Sequence, residues 1–392
     1  MAVMRSFLAA GMMGILAESG LAQPDGFVVR EGFSVTVAIE SLPRARFLEF
    51  GDNGVLYVSR DTPGDITAFK DGDGDGKYEK LGVFTSGKSF THGMFFRDGW
   101  LWFTTPEGVY KGRDSDGDGD ADEIVDVVTG LDGNGGHWWR SIFVAEDGFY
   151  TSVGCSGNIS EDLDTDRQKL WKYSLDGKSK ELFCGGIRNT EKLRLRPGTT
   201  ELWGLDHGSD NFGEPIGDKP GKEQPITDLN PPDEFNRYVK DGFYGHPYVT
   251  GDRLPRHEYL ERPDIHALAA KTIPPVWPVG AHWATNGFCF VDPAMNQKTK
   301  ALPPDWEGDA IIGCHGSWNS LKPVGYCVAR IRFDHDPKLG GNPVGLEKIV
   351  STIDEAGKVR ARPVDCVQAP DGTILFSADQ PGRVYRLTRT AP

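Results

Sequence analysis

The sequence predicts an all-β protein built as a six-bladed β-propeller in a single domain. A short unit of turn and strand repeats along the chain, and the spacing of its copies matches the length of a propeller blade. Fifty glycines and 26 prolines are spread over the 392 residues, which fits frequent tight turns between short strands. We therefore expect little helix.

The repeated unit is a turn, in most copies Asp-Gly or Asn-Gly, followed by a short strand rich in apolar residues. Such a turn between alternating apolar segments is the strongest short-range signal of a β-hairpin. Its turn glycines Gly54, Gly99 and Gly148 lie 45 and 49 residues apart, and a four-stranded blade needs about 40–50 residues. The early strand 27–37 is expected to pair with the last unit and close the ring. A β-sandwich with similar turns is the alternative. The six copies of the unit span residues 52–59, 98–104, 147–153, 198–205, 307–313 and 371–377.

The N-terminal segment 1–22 has the pattern of a secretion signal. A short, weakly basic start precedes the apolar stretch 7–17, and small residues lead to a cleavage point before Gln23. The alternative is an uncleaved N-terminal anchor. The mature domain is then 23–392, with a Pro/Gly-rich insertion at about 213–280, and we expect a secreted or periplasmic protein.

Charge and cysteine usage exclude several classes of protein. Lys and Arg total 43 against 57 Asp and Glu, and an acidic chain without a basic run is a poor candidate for binding nucleic acid. No stretch after the signal approaches 18 apolar residues, so we expect no stable insertion into a membrane. The six cysteines form no CxxC or CxxCH motif, which excludes a zinc ribbon and covalent haem. Their pairing is left open.

Two acidic loops are predicted to bind structural calcium. Each places carboxylates at alternate positions and a glycine at the sixth, as the start of an EF-hand loop does. The bidentate glutamate of the twelfth position and the flanking helices are missing, so we expect calcium-stapled loops between outer strands. Solvated acidic loops without an ion are the alternative. The predicted ligands are Asp71, Asp73, Asp75 and Glu79 in the first loop, and Asp114, Asp116, Asp118 and Asp122 in the second.

An arginine or histidine stands at the start of every predicted inner strand. Inner strands of a propeller converge on the central channel, so these side chains should face one another across a pocket. A cationic pocket in an acidic protein points to a polyanionic ligand, because arginine binds carboxylates in bidentate fashion. Alternatively, these residues plug the channel through water and backbone contacts. The six positions are Arg46, His92, His137, Arg188, His282 and Arg362.

A histidine held among arginines should have its charged form disfavoured, which leaves a neutral imidazole able to accept a proton. The pocket is therefore expected to contain a general base that works near neutral pH.

At these residues the chain resembles the soluble aldose dehydrogenases that use pyrroloquinoline quinone, especially the sorbosone and pyranose dehydrogenase branch. The resemblance covers nearly the whole mature chain. Two features depart from the family pattern. One is the insertion that follows Asn211, and the other is Thr190, at a position where the family often has proline after Arg-Asn. Two tryptophans after His137 are expected to narrow the choice of substrate. The matching stretches are 136–140, 186–189, 206–211, 231–234, 315–319 and 322–326.

The resemblance implies a quinone on the propeller axis. His137 matches the base that takes the proton of the sugar's C1 hydroxyl as hydride moves to C5 of the quinone, and Arg188 and Asn189 match the pair beside the reactive carbonyl. The backbone carbonyls of Gly208 and Ser209 match the ligands of a calcium ion that binds and polarises the quinone. Cofactor contacts are further implied for Arg46, His315, Arg360 and Arg362 at the carboxylates, and for Trp318 by stacking on the quinone or the sugar. The ring positions His92 and His282 complete the expected cofactor site.

The function implied is oxidation of an aldose or related sugar at C1, with pyrroloquinoline quinone and Ca²⁺ as cofactors. No electron-transfer module is attached, so the electrons are expected to leave to a separate cytochrome, quinone or copper protein. Two other functions remain open. One is a calcium-dependent sugar-lactone hydrolase, which needs a metal held by carboxylates at the axis. The other is a non-catalytic propeller that binds an anionic ligand.

Overall fold

The computed structural model describes residues 23–212, 225–336 and 341–390. The predicted signal segment 1–22 lies outside them. Six antiparallel sheets are arranged around a central channel, with 44% of the residues in strands and 8% in helices. The predicted six-bladed propeller is confirmed.

The first three blades follow two short N-terminal strands. Those strands are β1 (Val28–Val29) and β2 (Phe33–Ile39). Blade one consists of β3 (Ala45–Phe50), β4 (Leu56–Arg60), β5 (Asp65–Lys70) and β6 (Glu79–Thr85). Blade two consists of β7 (Met94–Arg97), β8 (Trp100–Thr105), β9 (Gly108–Arg113) and β10 (Glu123–Thr129). Blade three consists of β11 (Ile142–Val144), β12 (Phe149–Val153), β13 (Lys169–Tyr173) and β14 (Lys180–Gly185).

Blade four is interrupted between its strands. It begins with β15 (Thr190–Leu195) and β16 (Leu202–Asp206). Its third strand is β17 (Pro232–Tyr238), which follows α1 (Pro225–Leu229), and its fourth strand is β21 (Trp277–Ala281). Between these two strands the chain forms β18 (Gly242–Phe243), β19 (Val249–Thr250), β20 (Leu254–Pro255) and α2 (Ile265–Lys271). The segment predicted as an insertion, 213–280, thus supplies most of the outer half of this blade. Within it, β18 extends blade three and β19 pairs with β20.

Blades five and six complete the ring. Blade five consists of β22 (Thr285–Phe290), α3 (Pro293–Thr299), β23 (Ala310–Cys314), β24 (Cys327–Phe333) and β25 (Pro343–Ser351). Blade six consists of β26 (Arg362–Gln368), β27 (Ile374–Gln380) and β28 (Arg383–Arg389). Single-turn 3-10 helices lie at Pro24–Gly26, His257–Tyr259 and Pro304–Trp306.

The ring closes through the N-terminal strands. Strand β2 is the outermost strand of blade six, with Val35 opposite Leu387, as expected from the sequence. Strand β1 pairs instead with β25 of blade five, with Val28 opposite Ser351. The first and last strands, β1 and β28, are therefore held in adjacent blades.

Apolar side chains fill the spaces between blades. The largest buried cluster joins blades five and six and includes Trp306, Phe376 and Tyr385. The six cysteines are all buried free thiols, and no helix of the described residues is long and apolar enough to cross a bilayer.

Buried hydroxyls on second strands tie the inner strands of neighbouring blades together. Ser152 Oγ accepts the backbone N–H of Ser141 at 3.0 Å in its own blade and donates to the carbonyl of Thr190 at 2.7 Å in the next. Thr104 does the same between the N–H of Gly93 and the carbonyl of Arg140. These bonds fix the backbone at the point where each inner strand enters the channel, and that is where the predicted site residues stand.

Candidate functional site

The inner strands, together with the ends of the second strands of blades five and six, place charged side chains in three successive layers along the channel. We define the upper layer as His137, Arg188 and Arg362, which stand at or before the starts of their strands. The middle layer contains Arg46, His92, Glu191, His315 and Asp379, and the lower layer contains Glu49, Lys192, Arg194 and Asp365. Five of the six predicted ring positions are thereby brought to the hub.

The middle layer is not purely cationic, because two carboxylates lie within it. Arg46 donates to Glu191 at 3.3 Å and to Asp379 at 3.2 Å, and its guanidinium lies over the Trp139 ring. His92 Nε2 lies 3.2 Å from Glu191 Oε2. The expected excess of positive charge is thus largely compensated at this depth.

Burial and charge oppose each other at these acids. Burial alone would raise the pKa of Asp379, but the hydrogen bond from His315 and the charge of Arg46 lower it to about 2. At Glu191, likewise, burial is outweighed by the neighbouring His92 ring and by the charge of Arg46, and its pKa is lowered. Both acids are therefore ionised at neutral pH and hold the middle layer together.

His137 has the geometry of a base. Its Nδ1–H donates to the carbonyl of Cys155 at 3.0 Å, which leaves Nε2 as the acceptor. Burial, with the nearby charge of Arg188, lowers the pKa of His137 to about 3, so the ring is neutral at physiological pH. The residue has a φ of 51°, a left-handed conformation that costs a non-glycine residue about 1 kcal/mol and that clusters at functional sites.

A short segment after β12 joins His137 to Arg188. The N–H of Cys155 donates to the Arg188 carbonyl at 2.8 Å, while its own carbonyl holds His137. At Gly154 an added Cβ would lie 2.8 Å from His137 Cβ and 2.9 Å from the Arg188 carbonyl oxygen. Only glycine allows this approach between the two predicted catalytic residues.

The Arg188 guanidinium is held by uncharged oxygens. It donates to the carbonyl and side-chain oxygens of Asn158 and to the Gly208 carbonyl, each at 2.9 Å, and Asp210 Oδ1 is 3.7 Å away. Three of its five N–H groups are used, and two remain for a ligand. The backbone N–H of Arg188 is capped by Asp206 at 2.8 Å.

Asn189 is buried with one polar atom unmet. Its Nδ2 donates to Glu191 at 3.0 Å and to His207 Nδ1 at 3.1 Å, and its backbone N–H donates to Asp206. The Oδ1 atom has no hydrogen-bond partner among the residues that the structure describes.

The predicted calcium ligands Gly208 and Ser209 line a small buried cavity of about 20 Å³ together with Arg188 and Glu234. This volume holds about one water molecule. Burial and the neighbouring carboxylate of Asp206 raise the pKa of Glu234 to about 8. A dication at the two carbonyls would lie beside the Arg188 guanidinium, so it needs further negative charge to bind there.

Arg362 completes the upper layer. Its guanidinium donates to the carbonyls of His315 and Gly316 at 3.1 and 2.9 Å. His315 in turn donates from Nε2 to Asp379 at 2.9 Å. Like Arg188, Arg362 is thus positioned by neutral carbonyl oxygens.

Three predicted cofactor contacts lie outside these layers. The Arg360 guanidinium is paired with Asp354 in the preceding turn rather than with the hub. His282 donates from Nε2 to the carbonyl of Thr227 in α1. The Trp318 side chain is 70% exposed at the surface and makes no ring contact within the described part of the chain.

The two acidic loops lie where the sequence places them, between the third and fourth strands of blades one and two. The carboxylates of Asp71, Asp73 and Asp75 lie close enough together to share one ion. In the second loop the group is Asp114, Asp116 and Asp122, and neither Glu79 nor Asp118 belongs to a group.

Sequence reasoning missed the acids of the hub. Glu191 and Asp379 hold three of the predicted basic residues, and Asp365 accepts two hydrogen bonds from Lys192 below them. The available signal was the run Glu191-Lys192 inside an inner strand, because buried strand positions are rarely charged unless the charges are paired.

Comparison with known proteins agrees with this architecture. The holo PQQ domain of pyranose dehydrogenase from Coprinopsis cinerea superposes with a TM-score of 0.78 at 18% identity, covering 95% of this chain and 99% of that one. The calcium structure of the Trichoderma reesei Carbohydrate-Active Enzymes Family AA12 protein gives a TM-score of 0.76 at 17% identity over 95% and 100% of the chains. The soluble aldose sugar dehydrogenase of Escherichia coli gives 0.62 at 17% identity over 91% and 99%. These likenesses show the fold.

Sequence comparison adds a relative and a family. An uncharacterized protein of Borreliella burgdorferi is 26% identical over 219 residues, 56% of this chain, and the match spans about half (51%) of that protein's length. The TrAA12-like family matches residues 27–390, which is nearly the whole chain. The chain belongs to the TrAA12-like family.

Proposed function

We propose that this protein is a sugar dehydrogenase that uses pyrroloquinoline quinone and calcium and oxidises an aldose or related sugar at C1. The observation that carries the proposal is His137. Its Nδ1–H is fixed on Cys155, its ring is neutral, and its Nε2 has no hydrogen-bond partner among the described residues. An acceptor of this kind beside the Arg188 guanidinium is what oxidation of a sugar hydroxyl requires.

The hub fits the quinone's carboxylates. Arg188 and Arg362 are held by neutral oxygens and keep N–H groups free for an anion. The unmet Oδ1 of Asn189 and Nε of Arg46 are further polar atoms without a protein partner in the described chain. Leaving such buried groups unmet costs about 1–3 kcal/mol each, which a bound polar ligand would recover.

The calcium ion fits only together with the quinone. Gly208 and Ser209 offer carbonyl oxygens, the hard ligands that calcium prefers, but Arg188 stands beside them. The carboxylates of the quinone would supply the missing negative charge. We therefore expect calcium to bind this site weakly without quinone and tightly with it, as a calorimetric titration would measure.

In the reaction, the sugar loses a hydride from C1 and a proton from the C1 hydroxyl. The bound quinone supplies the acceptor for the hydride. His137 Nε2 takes the proton, while Cys155 keeps the ring from turning. The oxidised product is the lactone of the sugar. The two electrons then leave to a separate acceptor, for which a cytochrome, a quinone or a copper protein is expected.

The residues placed at the edge of the hub take different parts in this proposal. Trp318 is exposed at the surface and is available to stack on a sugar or the quinone. Arg360 and His282 would reach the cofactor only by leaving Asp354 and Thr227. We propose export to the periplasm or the outside of the cell, in keeping with the predicted signal.

The test is reconstitution of the apo protein with quinone and Ca²⁺, followed by aldose-dependent reduction of an artificial dye. Substitution H137A should lower turnover by about 100- to 10,000-fold, because the base is lost. Substitution H266A removes an exposed histidine on α2 and should have no effect. Release of acid from a sugar lactone without quinone would favour the hydrolase instead. Quinone binding without oxidation of any aldose would leave a binding protein.

A further inference from the structure

A large groove opens beside the hub on blade two. It has a volume of about 680 Å³ and is formed by the loops around β7, the turn between β8 and β9, and the loop that leads to His137. Trp138, the residue directly after His137, forms part of its wall. One wall of the groove is therefore formed by the segment that carries the proposed catalytic base.

Aromatic rings line the inner part of this groove. Phe90, 38% exposed, contacts the Trp138 ring with centroids 5.6 Å apart, and Tyr110 lies on the far wall under the ammonium of Lys88. Phe90 also contacts Trp139, which stacks on His92 in the middle layer. The aromatic surface is thus continuous from the groove to the hub, and it is supported from below.

Polar groups border the aromatic surface. The exposed carboxylate of Glu107 has no hydrogen-bond partner in the described chain, and Ser89 lies across the groove from it. The buried Nε1–H of Trp138 also has no acceptor among described residues. Flat apolar rings together with separate donors and acceptors suit a ligand that has apolar faces and many hydroxyls.

The size of the groove indicates more than one sugar unit. Sites of about 300–1,000 Å³ bury drug-sized ligands, whereas one hexose has only about 12 non-hydrogen atoms. We infer that the groove binds a neutral oligosaccharide, with the reducing end at His137 and the next sugar units over Trp138 and Phe90. This deepens the dehydrogenase function proposed above, on which the placement of the reducing end rests.

Binding to the apo protein tests the groove without any turnover. Isothermal titration with cellotriose, maltotriose and glucose should show at least tenfold tighter binding of one trisaccharide than of glucose. Substitutions F90A and E107Q should each remove most of that difference. Substitution L182A, an exposed apolar residue on blade three, should not. Equal binding of all three sugars, or loss of the difference in L182A as well, would overturn the inference.

Kinetics with the reconstituted enzyme separate this inference from the proposed function. F90A should raise KM for the favoured trisaccharide about tenfold, whereas L182A should leave kcat/KM for both the trisaccharide and glucose unchanged, with the thermal unfolding midpoint as a check of folding. Trisaccharide binding without any oxidation would contradict the dehydrogenase and leave the groove standing. Oxidation of glucose and trisaccharides with equal kcat/KM in wild type and F90A would leave the dehydrogenase and overturn the groove.

Discussion

The upper and lower layers of the channel use the same residue types in opposite ways. In the lower layer, Lys192 donates to both oxygens of Asp365 at 2.7 and 2.6 Å, and Arg194 is paired with Glu49. In the upper layer, Arg188 and Arg362 donate to neutral oxygens. Paired charges form a plug between blades, whereas cations positioned by carbonyls keep their charge available for a ligand.

The middle layer explains how the two arrangements coexist in one channel. Glu191 and Asp379 hold Arg46 and His315 from below the upper layer. The layer directly below the upper arginines therefore has its positive charges largely compensated by carboxylates.

The largest difference between the layers should appear in stability. Substitution D365A leaves the Lys192 ammonium buried without its partner, which typically costs about 3–5 kcal/mol. We expect a fall of this size in the free energy of unfolding, measured with denaturant. The double substitution K192M/D365L should recover much of it. A loss below about 1 kcal/mol in D365A would show that the lower pair does not hold the blades together.

Acid should weaken the upper and middle layers. Burial lowers the pKa of His92, His137, His246 and His315, so these rings stay neutral in the folded chain while the unfolded chain gains protons below pH 6.5. Stability must then fall as pH drops from about 6.5, by up to about 1.4 kcal/mol per pH unit for each proton.

Four buried acids work in the other direction. Burial raises the pKa of Glu49, Asp206 and Asp309, and it raises the pKa of Glu234 to about 8. Glu234 therefore gives the folded chain an extra proton from about pH 4.5 to 8, and between pH 7 and 5 the four histidines oppose this gain. Denaturant unfolding at pH 7, 6 and 5 should therefore show decreasing stability. An increase towards pH 5 would contradict the neutral state of the buried histidines.

A methyl group at Gly154 should affect chemistry more than folding. An added Cβ would press on His137 and on the Arg188 carbonyl, so the base must move from its position. We expect G154A to lower kcat at least tenfold, because small displacements of positioned groups are costly, while the free energy of unfolding falls by about 1–3 kcal/mol. G345A, where the nearest atom is 3.9 Å away, is the matched control and should leave kcat unchanged.

Substitutions in the two acidic loops should have the smallest effect on quinone-dependent turnover. We expect D71N/D114N to abolish the increase in thermal unfolding midpoint that calcium produces in the apo protein. Quinone-dependent turnover at saturating calcium should stay within about twofold, because both loops lie between outer strands. Loss of turnover in this variant, with the fold intact, would show that the loops and the upper layer are coupled.

The fold and half of the hub were predictable because their signals are local. Asp-Gly turns and alternating strands report hairpins directly, and arginine or histidine at the start of each inner strand needs only the repeat to be seen. Glu191 was missed because β15 changes register between Thr190 and Leu193. This bulge turns both Glu191 and Lys192, adjacent in sequence, toward partners in the channel.

Two other differences have equally physical reasons. The third and fourth strands of blade four are separated by a long excursion, so the spacing of the repeat fails there and the segment reads as an insertion. Arg360 forms an ion pair with Asp354 in its own turn, and this pairing keeps the Arg360 guanidinium away from the hub. Neither the excursion nor the local pair is visible from the spacing of basic residues.

The measurement that most directly tests the division between the layers is a titration of the apo protein with pyrroloquinoline quinone in calcium buffer. Two arginines of the same blade are compared, R188M just before β15 in the upper layer and R194M near the end of β15 in the lower layer. We predict one quinone per chain, with an affinity at least tenfold weaker in R188M and unchanged in folded R194M. Equal affinity in R188M and wild type, or equal weakening in both variants, would contradict the assignment of the upper layer as the quinone site.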